Sequence, residues 1–279
     1  HSPTHPLTTH HSPMQILRDK TAVITGAASG IGRALALQLA EAGCRLALCD
    51  HNDAELNETR KMAIEKGAVV IAVPFDVSNR EDMRNFATEV LQVFGSVDIV
   101  VNNAGLTLMQ QSVEQLSAED FQRVWEVNFM GVLHGCQTFL PHLRERPEAA
   151  LVNVASIFST AAYPYQGPYV ASKFAVRGLT ETLRQELAGT CVAVTVVMPG
   201  GIKTNIVNNI ATTDIAAKEK FARRFDKSAP TTAEEAARCI IEGIRRKKQR
   251  VLIGKDAKIM DIIARIFPHR YEQVIKRFV

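Results

Sequence analysis

Tyr169-Val170-Ala171-Ser172-Lys173 places a phenol and an ammonium four residues apart, on one face of any helix that contains them. A cation beside a phenol stabilises the phenolate and lowers its pKa from about 10 toward working pH. Such a tyrosine can exchange a proton with an alcohol or carbonyl oxygen during hydride transfer. Tyr163 and Tyr165 compete for the role, but four positions beyond them stand Gly167 and Tyr169, not lysine. An exposed Tyr–Lys pair with no chemistry has the same spacing. Ser156 offers a hydroxyl suited to holding a reacting oxygen. Asn128 falls mid-helix in an apolar context where asparagine fits poorly, which marks a specific polar role or a local cap.

A second group of residues suits a dinucleotide. Thr25-Gly26-Ala27-Ala28-Ser29-Gly30-Ile31-Gly32 joins a β-branched run to an amphipathic one. Glycines there allow a tight turn and let a pyrophosphate approach the backbone, beside the free N–H groups and positive dipole end of a helix. The spacing is G-x-x-x-G-x-G rather than G-x-G-x-x-G, and a purely structural turn is the alternative. Asp50 ends the next apolar run. Its carboxylate can accept from ribose hydroxyls and would repel a 2′-phosphate. Neither Ser29 nor the following His51 and Asn52 is an Arg or Lys, so NAD is favoured over NADP; a helix-capping aspartate is the competing reading. Asp76-Val77 is placed either to meet an adenine edge or to make a turn. Asn102-Asn103-Ala104-Gly105 either ties adjacent loops together around a cofactor or makes an ordinary turn.

The elements that must carry these residues alternate along the chain. Strands are expected at Thr21–Thr25, Arg45–Cys49, Val69–Phe75, Val97–Val101, Leu151–Ala155, Val192–Met198 and Arg250–Ile253. Helices are expected at Ile31–Ala42, Asp53–Lys66, Arg80–Phe94, Ala118–Leu143, Gly167–Leu187 and Ala233–Arg245. The strands are continuous apolar runs, as when both sheet faces are covered. The expected fold class is α/β: a three-layer αβα, Rossmann-type, doubly wound and mainly seven-stranded parallel sheet, with its crevice at the carboxyl ends of the strands. One catalytic domain spans residues 14–254. The largest irregular stretch, Gly201–Ala229, is expected to be a mobile lid over a ligand.

The flanks read differently. Residues 1–13 hold four histidines and three prolines with no periodicity, a disordered leader or an artificial remnant, with Met14 a plausible natural start. Lys220–Val279 carries 16 basic against 7 acidic residues, while the rest of the chain is mildly acidic. Arg245-Arg246-Lys247-Lys248-Gln249-Arg250 reads as a solvated helix end. Residues 255–279 form a basic amphipathic helical extension. In it, Ile259, Met260, Ile262, Ile263, Ile266 and Phe267 make an apolar stripe among Lys255, Lys258, Arg265 and Arg270. It suits packing on a neighbouring subunit or peripheral contact with an anionic membrane.

Composition bounds the rest. With 279 residues, 46% hydrophobic and 22% charged, the chain is an ordinary globular one, neither collagen-like nor disulfide-dense. No apolar run is long enough for a transmembrane helix and no signal-peptide pattern is present. The five cysteines lack C-x-x-C spacing and are expected as reduced, mostly buried thiols in a cytoplasmic protein without a metal site. Without a nucleic-acid motif, the basic surplus does not argue for a nucleic-acid partner.

Together these motifs resemble the short-chain dehydrogenase/reductase family, of the single-domain NAD(P)-dependent type. The matching pieces are Thr25–Gly32, Asp50, Asp76, Asn102–Gly105, Asn128, Ser156, Tyr169, Lys173 and Pro199-Gly200, from about Lys20 to Ile253. Ser156 and Tyr169 stand 13 residues apart, as in the family pattern. The resemblance implies a nucleotide-binding oxidoreductase. Tyr169 would be the general acid/base, and Lys173 would lower its pKa and bind the nicotinamide ribose. Ser156 would orient the substrate oxygen, and Asn128 would hold a water in a proton relay. Gly26, Ser29, Gly30, Ile31, Gly32, Asp50, Asp76 and Val77 would face the cofactor's adenosine and pyrophosphate. Asn103, Ala104, Gly105, Pro199, Gly200, Ile202 and Thr204 would line the rest. Leu106, Ile157, Phe158, Tyr163 and Tyr165 would face a bulky apolar alcohol or ketone, and no metal is needed. A homodimer or homotetramer is implied. The competing expectation is a catalytically silent dinucleotide-binding regulator or scaffold on the same fold.

Overall fold

Apolar runs without alternation become central strands because both of their faces meet other layers. In β4 (Ile99–Asn102), Ile99 and Val101 point to one face and Val100 to the other, and all three are fully buried. The computed structural model describes Met14, residues 17–204 and 229–275, together with Ile210, Ile215, Ala216, Glu219 and Arg223. The expected leader and most of the expected lid lie outside the described residues.

The other main strands are β1 (Thr21–Thr25), β2 (Arg45–Asp50), β3 (Val70–Pro74), β5 (Ala149–Val154), β6 (Val192–Pro199) and β9 (Arg250–Ile253). They form a seven-stranded sheet in the order β3-β2-β1-β4-β5-β6-β9, every neighbouring pair parallel. The helices are α1 (Gly30–Glu41), α2 (Asp53–Glu65), α3 (Arg80–Phe94), α4 (Ala118–Trp125), α5 (Gly131–Arg144), α6 (Gly167–Glu186), α7 (Ala233–Arg245), α8 (Lys255–Ile266) and α9 (Tyr271–Ile275). One core layer joins Ile99 and Val101 to Leu35 and Leu39 of α1 and to Ile240 and Ile244 of α7. The other joins Val100 to Phe86, Phe139 and Val176 of α3, α5 and α6. Each such buried side chain contributes about 1.5–3 kcal/mol. The chain order reverses between β1 and β4, and the crevice of a doubly wound sheet opens there at the carboxyl ends.

Three departures from the expected elements matter. The single helix expected over Ala118–Leu143 is α4 and α5 joined by a π-helical turn, Glu126–Met130, which a 3.6-residue period cannot reveal. The expected strands Val97–Val101 and Leu151–Ala155 are shifted to Ile99–Asn102 and Ala149–Val154, because the apolar runs do not stop where the ladder does. Finally, β7 (Ile202–Lys203) and β8 (Thr231–Thr232) form a separate parallel pair.

The basic run is less solvated than expected. Lys247 pairs with Glu148 at 2.7 Å, Arg250 with Asp261 at 2.9 Å, and Arg246 with Glu242. All five cysteines are free thiols, Cys44, Cys49 and Cys136 being buried. Among the described residues no side-chain cluster could hold a metal ion, and no helix is long and apolar enough to cross a membrane.

Candidate functional site

The turn between β1 and α1 is dictated by backbone packing. Gly26 and Gly30 have φ of 67° and 52°, the left-handed region that glycine enters without strain. A Cβ on Gly26 would lie 2.7 Å from the Ala104 Cα, and one on Gly32 only 2.0 Å from the Gly26 carbonyl. Asn103 sews this turn to β4: its Nδ2 donates to the carbonyls of Thr25 (3.0 Å) and Gly26 (3.1 Å). The Thr25 hydroxyl accepts from the N–H groups of Asn103 and Ala104, both at 3.0 Å. Ser29 is the N-cap residue of α1 but makes no side-chain cap bond. Thr204 packs over Gly30, its Cβ 3.1 Å from where a glycine Cβ would be.

Asp50, buried at the end of β2, accepts from Ala28 N at 3.0 Å through Oδ2. Its Oδ1 accepts from Asn52 N and from His51 Nδ1, each at 3.0 Å. Burial pushes this carboxyl up, but the bonds from His51, Asn52 and Ala28 outweigh it and leave the pKa below 3.8. The same bond to Asp50 raises His51 above 6.5. Arg33 of α1, a cation that adjacency to Asp50 in sequence does not reveal, bonds to the Ala28 carbonyl, to Thr59 Oγ1 (2.9 Å) and to Glu55. Asp76 is similarly occupied. Ser78 N and Oγ donate to its Oδ1, and Arg123 from α4 donates to Oδ2 at 2.6 Å. Burial raises its carboxyl, yet these donors hold it below the usual range. Val77 is pinned by its carbonyl, which accepts from His134 Nδ1 at 3.1 Å.

The second cluster lies beside the first at the carboxyl ends of β4 and β5. Ser156 is buried, and its hydroxyl acts on the Tyr169 phenol to favour the phenolate. Its Oγ also accepts from Phe158 N at 3.2 Å. Lys173 is buried, donates to the Val154 carbonyl at 3.0 Å and stands 5.6 Å from the centre of the Tyr169 ring. Burial lowers Lys173 to about 8. Burial also raises the Tyr169 phenol, with the Ser156 hydroxyl pulling the other way. The depression of Tyr169 expected from the lysine is therefore corrected for this geometry. Lys173 lies over the ring face rather than at the hydroxyl, and desolvation dominates.

Asn128 is fully buried in the π-helical turn. Its Oδ1 accepts from Leu106 N at 2.8 Å, and its Nδ2 donates to the Leu106 carbonyl (3.0 Å) and to Ser172 Oγ (3.1 Å). A Cβ on Gly105 would sit 3.2 Å from Asn128 Oδ1 and 3.3 Å from Lys173 Nζ, so these three residues meet. Below them, Asn102 Nδ2 donates to Asn153 Oδ1 at 2.8 Å, and Asn153 Nδ2 to Thr180 Oγ1 at 3.0 Å. This buried relay ties β4 to β5 and α6.

The expected substrate residues divide. Phe158 stacks on Tyr163 (5.1 Å between centroids) and meets Tyr169 edge-on at 6.4 Å. Tyr165, exposed and with φ 63°, lines a small cavity beside Tyr169 with Leu108, Met109, Leu116 and Pro168. Ile157 is buried. The side chains of Ile202 and Ile31 pack with the core, leaving their backbone as the part able to face a ligand. Pro199 closes β6, and Gly200 N donates to the Ile253 carbonyl at 2.9 Å.

Residues 20–215 match the family model described as short chain dehydrogenase. SadH of Mycobacterium tuberculosis, named as an oxidoreductase, is 41% identical over 265 residues, covering 94% of this chain and 96% of its own. A short-chain dehydrogenase/reductase from Burkholderia phymatum, solved in complex with NAD, superposes with a TM-score of 0.84 at 33% identity, over 91% of this chain and 95% of that one. Levodione reductase superposes with a TM-score of 0.76 at 28% identity, over 85% and 95% of the two chains.

Proposed function

The chain belongs to the short-chain dehydrogenase family of oxidoreductases, and from that premise we propose that it interconverts a secondary alcohol and a ketone with NAD(H). The observation that carries this reading is the convergence of Ser156, Tyr169, Lys173 and Asn128 beside Gly105.

The residues at the glycine turn fit a dinucleotide. Gly26 and Gly32 let the turn pack closely on Asn103 and Ala104, and Ser29 makes no side-chain cap at the start of α1, where phosphate is favoured. Asp50 is ionised at neutral pH, and its Oδ2 has one donor among the described residues, which leaves acceptor capacity for a ribose hydroxyl. The same charge opposes a 2′-phosphate, and Arg33 of α1 is tied to Ala28, Glu55 and Thr59, which supports NAD over NADP. Gly26, Ser29, Gly30, Ile31, Gly32, Asp50, Asp76 and Val77 would hold the adenosine and pyrophosphate. Asn103, Ala104, Gly105, Pro199, Gly200, Ile202 and Thr204, with Tyr169 and Lys173, would hold the remainder. A bound nicotinamide supplies the acceptor or donor of hydride.

In the reducing direction Tyr169 gives its phenolic proton to the substrate oxygen. Its raised pKa keeps that proton in place until the oxygen becomes basic. Ser156 donates to the same oxygen and holds it against Tyr169. Lys173 stabilises the phenolate then formed. Asn128 holds a water that, with Lys173, returns a proton to the tyrosine. In the oxidising direction Tyr169 takes the proton instead.

The stacked Phe158 and Tyr163, with Ile157 and Tyr165, support a bulky apolar substrate. We place the enzyme in the cytoplasm as a homodimer or homotetramer, with residues 14–254 as the catalytic unit. The exposed Ile259, Ile262, Ile266 and Phe267 on the extension support subunit packing, with peripheral membrane contact as the alternative. A screen of bulky ketones against small polyols, with NADH and NADPH in parallel, tests the reading. Turnover confined to polyols or to NADPH would overturn its substrate or cofactor half.

A further inference from the structure

Asp256 stands in the first turn of α8, outside every motif discussed above. Its Oδ2 accepts a hydrogen bond from Gly201 N at 2.6 Å. A Cβ on Gly200 would lie 2.2 Å from Oδ2, and one on Gly254 would lie 2.2 Å from Oδ1. The carboxylate thus occupies a slot between two glycines, one following β6 and one following β9. A side chain on either would expel it. Its Oδ1 is buried there without a hydrogen-bond partner among the described residues. The turn is held on its other sides too: Gly200 N donates to the Ile253 carbonyl at 2.9 Å, and Thr231 N to the Gly201 carbonyl at 3.4 Å.

What this turn leads into gives the contact its meaning. Gly201 is followed at once by β7 and then by Thr204, which packs directly over Gly30 of the dinucleotide turn. A loosened Gly201 would let the 200–204 segment move away from the glycine turn. The segment would then have to be ordered when the ligand binds, and that ordering lowers affinity.

We propose that Asp256 is a positioning residue for the dinucleotide. By holding the Gly200–Gly201 backbone, it fixes residues 200–204 against the nicotinamide half of the cofactor and makes the C-terminal extension part of cofactor recognition. The assignment rests on the NAD reading given above. Gly200 then has a second reason to be glycine besides close approach to a ligand: it admits the carboxylate.

The test compares NADH, followed by its fluorescence, with ADP-ribose, which lacks the nicotinamide, followed by calorimetry, on the full chain. Asp256→Ala should weaken NADH roughly tenfold while changing ADP-ribose less than about twofold. Asp256→Asn keeps an oxygen acceptor for Gly201 N and should recover NADH to within about threefold of wild type. Thermal melting accompanies each titration. If Asp256→Ala does not melt cooperatively, Gly254→Ala closes the slot from the β9 side and carries the same expectation. Equal loss of both ligands, or no loss of NADH in a folded variant, would overturn the assignment while leaving the NAD reading intact. Wild-type protein that bound neither ligand would overturn both.

Discussion

Two buried carboxylates mark the opposite ends of the sheet, and they are used differently. Asp98, at the amino end of β4, is 1% exposed and enclosed by fixed partners. Its Oδ1 meets Arg146 at 2.9 Å and Lys20 at 3.4 Å, and its Oδ2 accepts from Thr21 N at 2.9 Å. These bonds cross-link β1, β4 and the α5–β5 connection. Asp50, at the carboxyl end of β2, is held by two backbone N–H groups and by His51, a side chain 65% exposed and free to turn away. One carboxylate is locked by long cations, and the other keeps acceptor capacity in reserve. Asp76 on the same edge is tied to Arg123, but the contrast returns at the second cluster, where Lys173 is buried against the Val154 carbonyl and Tyr169 is only partly covered. The amino edge holds strands together, and the carboxyl edge keeps polar groups poised at some cost to stability.

The largest effect expected from this division is catalytic. Lys173→Met should lower kcat/KM roughly 100- to 1,000-fold, while the melting temperature stays level or rises, because a buried ammonium is removed. A melting temperature that fell sharply would move Lys173 to the structural side of the comparison. Next, Asp98→Ala should cost about 2–3 kcal/mol of unfolding free energy in a urea titration, with NADH affinity unchanged. Loss of NADH binding at fixed stability would erase the contrast. Third, Asp50→Ser should shift the NADPH-to-NADH affinity ratio about 10- to 100-fold toward NADPH, with little change in stability. An unchanged ratio would remove Asp50 from cofactor choice.

The smallest expected effect is a titration. The His51 pKa is raised above 6.5 by Asp50, so its share of stability is full below pH 6.5 and is lost as pH rises through the raised value. The Asp50 pKa is lowered below 3.8, so its share is present above that pH and is lost as pH falls through the lowered value. Their pairing is complete only between the two. Proton NMR of the imidazole should show the His51 titration returning toward 6.5 in Asp50→Asn. An unmoved titration would show that the two groups are uncoupled.

Much of this arrangement is legible in sequence because it is local. The apolar runs announce seven buried strands, the glycine spacing marks a turn at the first helix, and Tyr169 and Lys173 share a helix face. Asn128 stands out as a misfit in a helix, but the π-helical turn that aims it inward is not visible in a 3.6-residue pattern. The remainder was hidden because it depends on long-range contacts. Thr25 supports Asn103 across 78 residues of chain, Arg123 reaches Asp76 across 47, and Asp256 reaches Gly201 across 55. The direction of the Tyr169 shift was also hidden. Spacing reports that a lysine is near, but not that it lies over the ring face, nor how far each group is shielded from water.

The central claim is that the Tyr169 hydroxyl handles the proton at a site whose hold on NAD does not depend on that hydroxyl. Tyr169→Phe removes one hydroxyl and leaves the ring and its edge-on contact with Phe158. With a ketone on which the wild-type enzyme turns over, NADH consumption by this variant should fall at least about 1,000-fold, while its NADH dissociation constant stays within about twofold. Turnover within tenfold of wild type, with cofactor binding intact, would contradict the account.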